Sequence, residues 1–139
     1  MMPAMQITVP FEITRWDDEP YDKGEGNELA RATVEKAFAA DALSGTSAAQ
    51  LLLVRTAGEP QGAAYTAVER FQVVLGGREG TFVLVHGATS EVDADDVSRG
   101  HVVPGSGTGG LEGLRGTVAY AHDEDGPRLT LDYELPGQA

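Results

Sequence analysis

Apolar and polar side chains alternate along much of this chain, most sharply in Leu129-Thr130-Leu131-Asp132-Tyr133-Glu134-Leu135. There four apolar side chains fall on one face and Thr, Asp and Glu on the other. A period of two is that of a strand with one face buried and one wet. Runs rich in Val, Thr, Ile, Phe and Tyr, set between turn signals, predict eight strands at about residues 6–16, 29–40, 46–57, 63–75, 80–89, 97–104, 115–121 and 127–135. The run from Leu29 to Ala40 is rich in Ala, Glu and Lys and also fits a short helix. Its Thr33-Val34 pair, Phe38 at even spacing and the turn from Asp41 to Gly45 favour a strand. Eight strands joined mostly by short turns can close a small barrel, which removes the edges that an open sheet must protect. The expected fold is all-β: an eight-stranded antiparallel β-barrel made by one domain, residues 1–139, with function sought among inward-pointing side chains.

One hairpin can be registered from the sequence. Tyr65–Leu75 and Thr81–His86 flank Gly76-Gly77-Arg78-Glu79-Gly80. A four-residue loop over Gly76–Glu79 sets Leu75 against Gly80, and pairs Val73 with Phe82, Phe71 with Leu84 and Glu69 with His86. A slip of one residue would turn Phe71 and Val73 to the wrong face. Glu69 and His86 thus form the candidate catalytic pair, because a carboxylate fixes the tautomer of an imidazole and strengthens its hold on a proton. The competing reading has Glu69 bound to Arg70, Arg78 or a backbone group, and His86 as a satisfied inner-face residue. Lys36 shares parity with Val34 and Phe38, so it is either a cationic anchor inside the barrel or a lysine snorkelling at its mouth. Tyr65, Phe71, Phe82 and Tyr133 are the expected pocket walls. Trp16 and Tyr21, flanking Asp17-Asp18-Glu19-Pro20, form either a lid or an aromatic wall at the mouth.

The glycine-dense stretch Val102–Gly116 satisfies G-x-G-x-x-G at Gly105, Gly107 and Gly110. A dinucleotide loop needs a helix behind it, and Gly113 and Gly116 interrupt the turns where that helix would start. A corner between two strands is the expectation, with Ser106 a corner residue rather than a nucleophile.

Composition narrows the partners. The 22 acidic and 10 basic residues give a net charge of −12, which repels phosphate backbones and anionic lipid. Nucleic acid and membrane surfaces are therefore not expected. The acids cluster at Asp17–Glu19, Asp22–Glu28, Glu91–Asp96 and Asp123–Asp125. All four read as loops, and none has the ligand spacing of an EF-hand. There is no Cys, and His86, His101 and His122 lie far apart, so neither a metal site nor a cofactor is expected. No apolar run reaches the ~20 residues that span a bilayer, and no export signal is visible at the amino terminus, which makes the cytoplasm the default location.

A family resemblance rests on a series of segments. They are Phe11–Tyr21; Arg31 with Lys36 and Phe38; Glu69-Arg70-Phe71; Gly77-Arg78 with Gly80-Thr81-Phe82 and His86; Val103–Gly109 with Leu111, Gly113, Leu114 and Gly116; and Leu131-Asp132-Tyr133. In this order they resemble the bacterial family known as domain of unknown function 3224, over nearly the whole chain. The Pro-Gly-Ser-Gly-Thr-Gly segment is also similar to the glycine-rich region of allene oxide cyclases and dirigent proteins. That resemblance implies an oligomeric eight-stranded barrel whose lumen binds apolar molecules, whereas the resemblance to the closer family, domain of unknown function 3224, implies an aspartic-type peptidase activity.

Three functions follow as expectations. The first is a cofactor-independent barrel that binds a small apolar molecule, an isomerase or cyclase with Glu69 and His86 handling a proton. The second is a peptidase or peptide-binding barrel, which needs two carboxylates converging on one pocket; Asp132 and Glu134 have the wrong parity for this. The third is a non-enzymatic homo-oligomer packed through Val68, Val74, Val83 and Val85, a second apolar stripe on the face opposite Phe71.

Overall fold

A computed structural model describes residues 4–59, 61–91 and 96–137. It contains ten strands: β1 (Met5–Pro10), β2 (Glu12–Gly24), β3 (Asn27–Ala39), β4 (Leu43–Thr56), β5 (Gly62–Leu75), β6 (Arg78–Glu91), β7 (Asp96–Val102), β8 (Thr108–Gly109), β9 (Arg115–Asp123) and β10 (Gly126–Glu134). All pair antiparallel in one sheet of order β1-β10-β9-β7-β6-β5-β4-β3-β2, with the two-residue β8 joined to β6. The Leu29–Ala40 run is strand, since its inward row Ala30, Ala32, Val34, Lys36 and Phe38 is buried at every second position. Among the described residues no helix is long and apolar enough to cross a membrane.

The expected closed eight-stranded barrel is corrected to a ten-stranded sheet whose ends, β1 and β2, share no hydrogen-bonded ladder. These ends are consecutive in the chain, with only Phe11 between them. β1 pairs with β10, then the chain turns at Phe11 and β2 pairs with β3. The acidic stretch Asp17–Glu19, expected as a loop, belongs to β2; of Asp22–Glu28, Glu25 and Gly26 do form a turn, and the rest belongs to β2 and the start of β3. The strand β2 is exposed at every position, so it carries no apolar alternation to announce it. The acidic cluster at Asp123–Asp125 does form a turn, whereas residues 92–95 of the Glu91–Asp96 cluster lie outside the described residues.

The sheet is rolled. Lys36 on β3 and Tyr120 on β9 stand five strand spacings apart, which would be about 24 Å in a flat sheet. The Lys36 Nζ lies 4.0 Å from the Tyr120 ring centroid. Rolling puts one face of the sheet on the inside, and the size of its side chains changes along the strands. One end is filled by Phe38, Phe71, Phe82, Tyr133 and the leucines of β10, with Phe71 stacked on Phe82 at 4.7 Å between ring centroids. Leu111 and Leu114, from the glycine-dense corner, are buried in the same core. The other end is lined by Ala30, Ala32, Ala49 and Ala67 with Val34, Leu51 and Leu53, side chains too short to meet across the interior.

The β5–β6 hairpin corrects the expected register. Its turn is the two residues Gly76-Gly77, with φ of 57° and 84°, the left-handed pair that a tight hairpin demands and glycine supplies without strain. Leu75 therefore faces Arg78, Phe71 faces Phe82, Glu69 faces Leu84 and Ala67 faces His86. The shift is two residues, so every side chain keeps its predicted face.

Candidate functional site

A layer of polar side chains separates the packed end from the alanine-lined end. Lys36, Ser47, Glu69, His86 and Tyr120 come from β3, β4, β5, β6 and β9 and are all buried. Glu69 is at the centre. Its Oε1 accepts from Tyr120 Oη at 2.8 Å and from Lys36 Nζ at 3.2 Å, and lies 2.8 Å from His86 Nε2. Its Oε2 accepts from Ser47 Oγ at 2.5 Å and lies 3.1 Å from Lys36 Nζ. His86 is thus the diagonal neighbour of Glu69 rather than its direct opposite, and the diagonal is still within reach for these long side chains. The alternative of an Arg70 or Arg78 partner for Glu69 is not realised.

Burial by itself would push the Glu69 carboxyl up. The hydrogen bond from His86, the charge of Lys36 and the bond from Ser47 outweigh it and hold the group at about 2, below its ordinary 4.5. The carboxylate is therefore ionised at neutral pH, and it matches the Lys36 ammonium. Desolvation pulls Lys36 down from its ordinary value while Glu69 opposes the fall. The Lys36 ammonium also lies over the rings of Tyr120 and Phe11, at 4.0 and 5.1 Å. Burial and the neighbouring Glu69 charge push the Tyr120 phenol well above its usual range, which keeps it a donor.

With Glu69 ionised, a neutral His86 carries its proton on Nε2 and leaves Nδ1 to accept. The Tyr65 hydroxyl sits 2.9 Å from that Nδ1. A continuous chain thus runs from Tyr65 through His86 to Glu69. On β7 Gly100 faces His86, and the two strands approach so closely there that a Cβ would collide with the Val85 carbonyl and the His86 Cβ.

The alanine-lined end holds a cavity of about 410 Å³, within the ~300–1,000 Å³ typical of small-molecule sites. Tyr65, His86, Lys36 and Tyr120 form part of its wall, with Leu51, Leu53 and Val34 supplying apolar surface. Trp16 lines it too. The β2–β3 ladder has a bulge at Thr14, so Ile13 and Trp16, three residues apart, face the inward residues Lys36 and Val34 and both border the cavity. Trp16 is held by its indole Nε1–H donating to Asp18 Oδ2 at 2.8 Å and remains 47% exposed, as a mouth residue would be.

Of the residues singled out from sequence, Glu69, His86, Lys36, Tyr65 and Trp16 converge here. Phe71, Phe82 and Tyr133, expected as pocket walls, are corrected to members of the packed core at the other end; none of them lines the cavity. Ser47 and Tyr120 were missed. Their alternation with Ala49 and Val118 marked them as inward, but only the rolled sheet brings them to Glu69 from 22 and 51 residues away. Ser106 is a corner residue, its Oγ accepting from the Val83 N–H at 3.0 Å. Among the described residues no three His, Asp or Glu side chains are grouped to hold a metal ion.

No curated protein matches the chain. A solved structure, described as a protein of unknown function from the DUF3224 family of Shewanella oneidensis MR-1, is similar to it with 29% identity and a TM-score of 0.75. The match covers 96% of this chain and 98% of that one. The family model described as "Protein of unknown function (DUF3224)" matches residues 7–135, nearly the whole length, and the chain therefore belongs to the DUF3224 family.

Proposed function

We propose that the cavity takes up one small, predominantly apolar molecule and that the Tyr65–His86–Glu69 chain handles a proton on it, as a cofactor-independent isomerase or cyclase. The observation that carries this reading is a fully buried, ionised carboxylate orienting an imidazole whose other nitrogen meets a tyrosine hydroxyl on the cavity wall. In the proposed cycle Tyr65 passes its proton to His86 Nδ1, and Glu69 stabilises the imidazolium. The phenolate oxygen then takes a proton from the bound molecule and returns it to a different atom. His86 finally gives its proton back to Tyr65, so the molecule is isomerised with no net gain or loss.

Native mass spectrometry of the purified chain should show uptake of one neutral apolar molecule per chain. In D₂O the protein should speed deuterium exchange into bound ketones, with Tyr65→Phe abolishing exchange but keeping uptake. Failure of every compound in a neutral apolar panel to bind would dismiss the binding reading. Exchange that survives both Tyr65→Phe and Glu69→Gln would dismiss the proton role. A two-carboxylate peptidase needs a second acid beside Glu69; among the described residues the cavity wall contains neither Asp nor Glu, so peptide hydrolysis is not favoured.

The outer face supports a second reading, self-association. Val68 faces Val85 across the β5–β6 ladder, and with Leu52 on β4 these side chains are 56%, 40% and 50% exposed. Val74 and Val83 of the expected stripe are half-buried. Light scattering behind size-exclusion chromatography should report an oligomer that Val68→Lys disrupts; a stable monomer would overturn this reading.

A further inference from the structure

Ser98 is the exception among the buried polar side chains. It stands on β7 directly opposite Tyr120, two residues before the Gly100 that faces His86, and so shares the inward face and lines the cavity. It is 6% exposed, yet among the described residues its Oγ has no hydrogen-bond partner. Lys36, Ser47, Glu69 and His86, equally buried, are all bonded to one another through Glu69. An unmatched buried hydroxyl costs stability unless something else completes it.

The charges around it limit what that something can be. Lys36 is neutralised by Glu69. At the rim Arg55 is held by Asp18 at 3.0 Å and Glu28 at 3.5 Å. Lys36 and Arg55, the Lys and Arg side chains of the wall, are thus both engaged, and a charged ligand would give up its hydration without meeting a free ammonium or guanidinium there. A neutral ligand with one oxygen acceptor has no such penalty, and the Ser98 hydroxyl can donate to it.

We infer that Ser98 anchors the ligand, and that the ligand class is a neutral, otherwise apolar carbonyl compound whose oxygen accepts from Ser98 Oγ. The inference rests on the cavity reading above. It places the carbonyl oxygen on the β7 side of the cavity, in the same chamber as the Tyr65 hydroxyl on β5.

The test uses two neutral probes of one shape, 2-acetylnaphthalene and 2-isopropenylnaphthalene, which differ in C=O against C=CH₂. Calorimetric titration of the full chain should show Ser98→Ala weakening the ketone about fivefold to tenfold, the range of one neutral hydrogen bond. The alkene should change by less than about twofold, since it makes no such bond. Without ligand, Ser98→Ala should melt no lower than the wild type. Equal effects on the two probes, or none on the ketone, would overturn the anchor and leave the cavity reading intact. A clear fall in Tm would do the same by revealing a structural partner for the hydroxyl. Binding of neither probe to the wild type, while another member of the neutral apolar panel binds, would overturn the anchor alone; failure of the whole panel would overturn both readings.

Discussion

Replacing Glu69 with glutamine keeps the side chain's shape and removes its charge, which leaves the buried Lys36 ammonium facing an amide. A carboxyl held at about 2 in the folded protein, against 4.5 when free, contributes about 3 kcal/mol at neutral pH, at about 1.4 kcal/mol per tenfold change in proton affinity. Breaking one partner out of a buried ion pair costs about 3–5 kcal/mol, a range that includes this figure. Because the folded value is depressed, the contribution is complete above pH 4.5 and is lost as pH falls through about 2. Urea unfolding of wild type and Glu69→Gln between pH 7 and pH 2 isolates it, since the other carboxylates are shared and cancel in the difference. The gap should stand at about 3 kcal/mol near neutrality and close as pH drops from about 5 to about 2. A gap that stays constant over this range would mean that the buried carboxyl is not held ionised by its neighbours, and the account of the polar layer would fail.

Two further outcomes follow from the same layer. Tyr120→Phe removes one donor from Glu69 and should cost about 1.5–3 kcal/mol, as bonds to charged groups do. With less to oppose desolvation the Glu69 carboxyl rises, so acid unfolding followed by circular dichroism should begin at higher pH than in the wild type. Gly100→Ala drives a methyl group against the Val85 carbonyl and the His86 Cβ and should cost about 1–3 kcal/mol, seen as a drop of several degrees in Tm. An unchanged Tm would show that β7 does not press on His86 as described.

The inward face of nearly every strand was legible because side-chain parity survives errors of register. The β5–β6 hairpin illustrates the point: a four-residue turn and the observed two-residue Gly76-Gly77 turn differ by two positions, and both bury Phe71 and Glu69. Apolar pattern cannot choose between them, while turn geometry can. Strand β2 was illegible beyond Trp16 for the opposite reason, since a strand wet on both faces has no period to read. The division of the interior was written in side-chain size, alanines at one end of β3 and Phe38 at the other, yet parity alone makes Phe82 and Tyr65 look equivalent. What separates them is position along the strand relative to the polar layer, and that layer is assembled from five strands by the roll of the sheet. Bonds spanning 17 to 51 residues leave no local signal.

The seam at Phe11 also governs when the fold can be completed. Hairpins β2–β3, β3–β4, β4–β5 and β5–β6 join neighbours in sequence and can zip as soon as their own residues are available. β1 cannot, because Met5 pairs with Tyr133 and Pro10 with Arg128. During synthesis the β1 segment emerges early and stays a bare edge until β10 has left the ribosome, carrying Ile7 and Val9 that have nothing to cover them. The β1–β10 ladder therefore cannot form before β10 is made, and it docks an early segment onto a late one. A chain interrupted before residue 126 would present an unpaired strand, with the aggregation hazard that such edges bring.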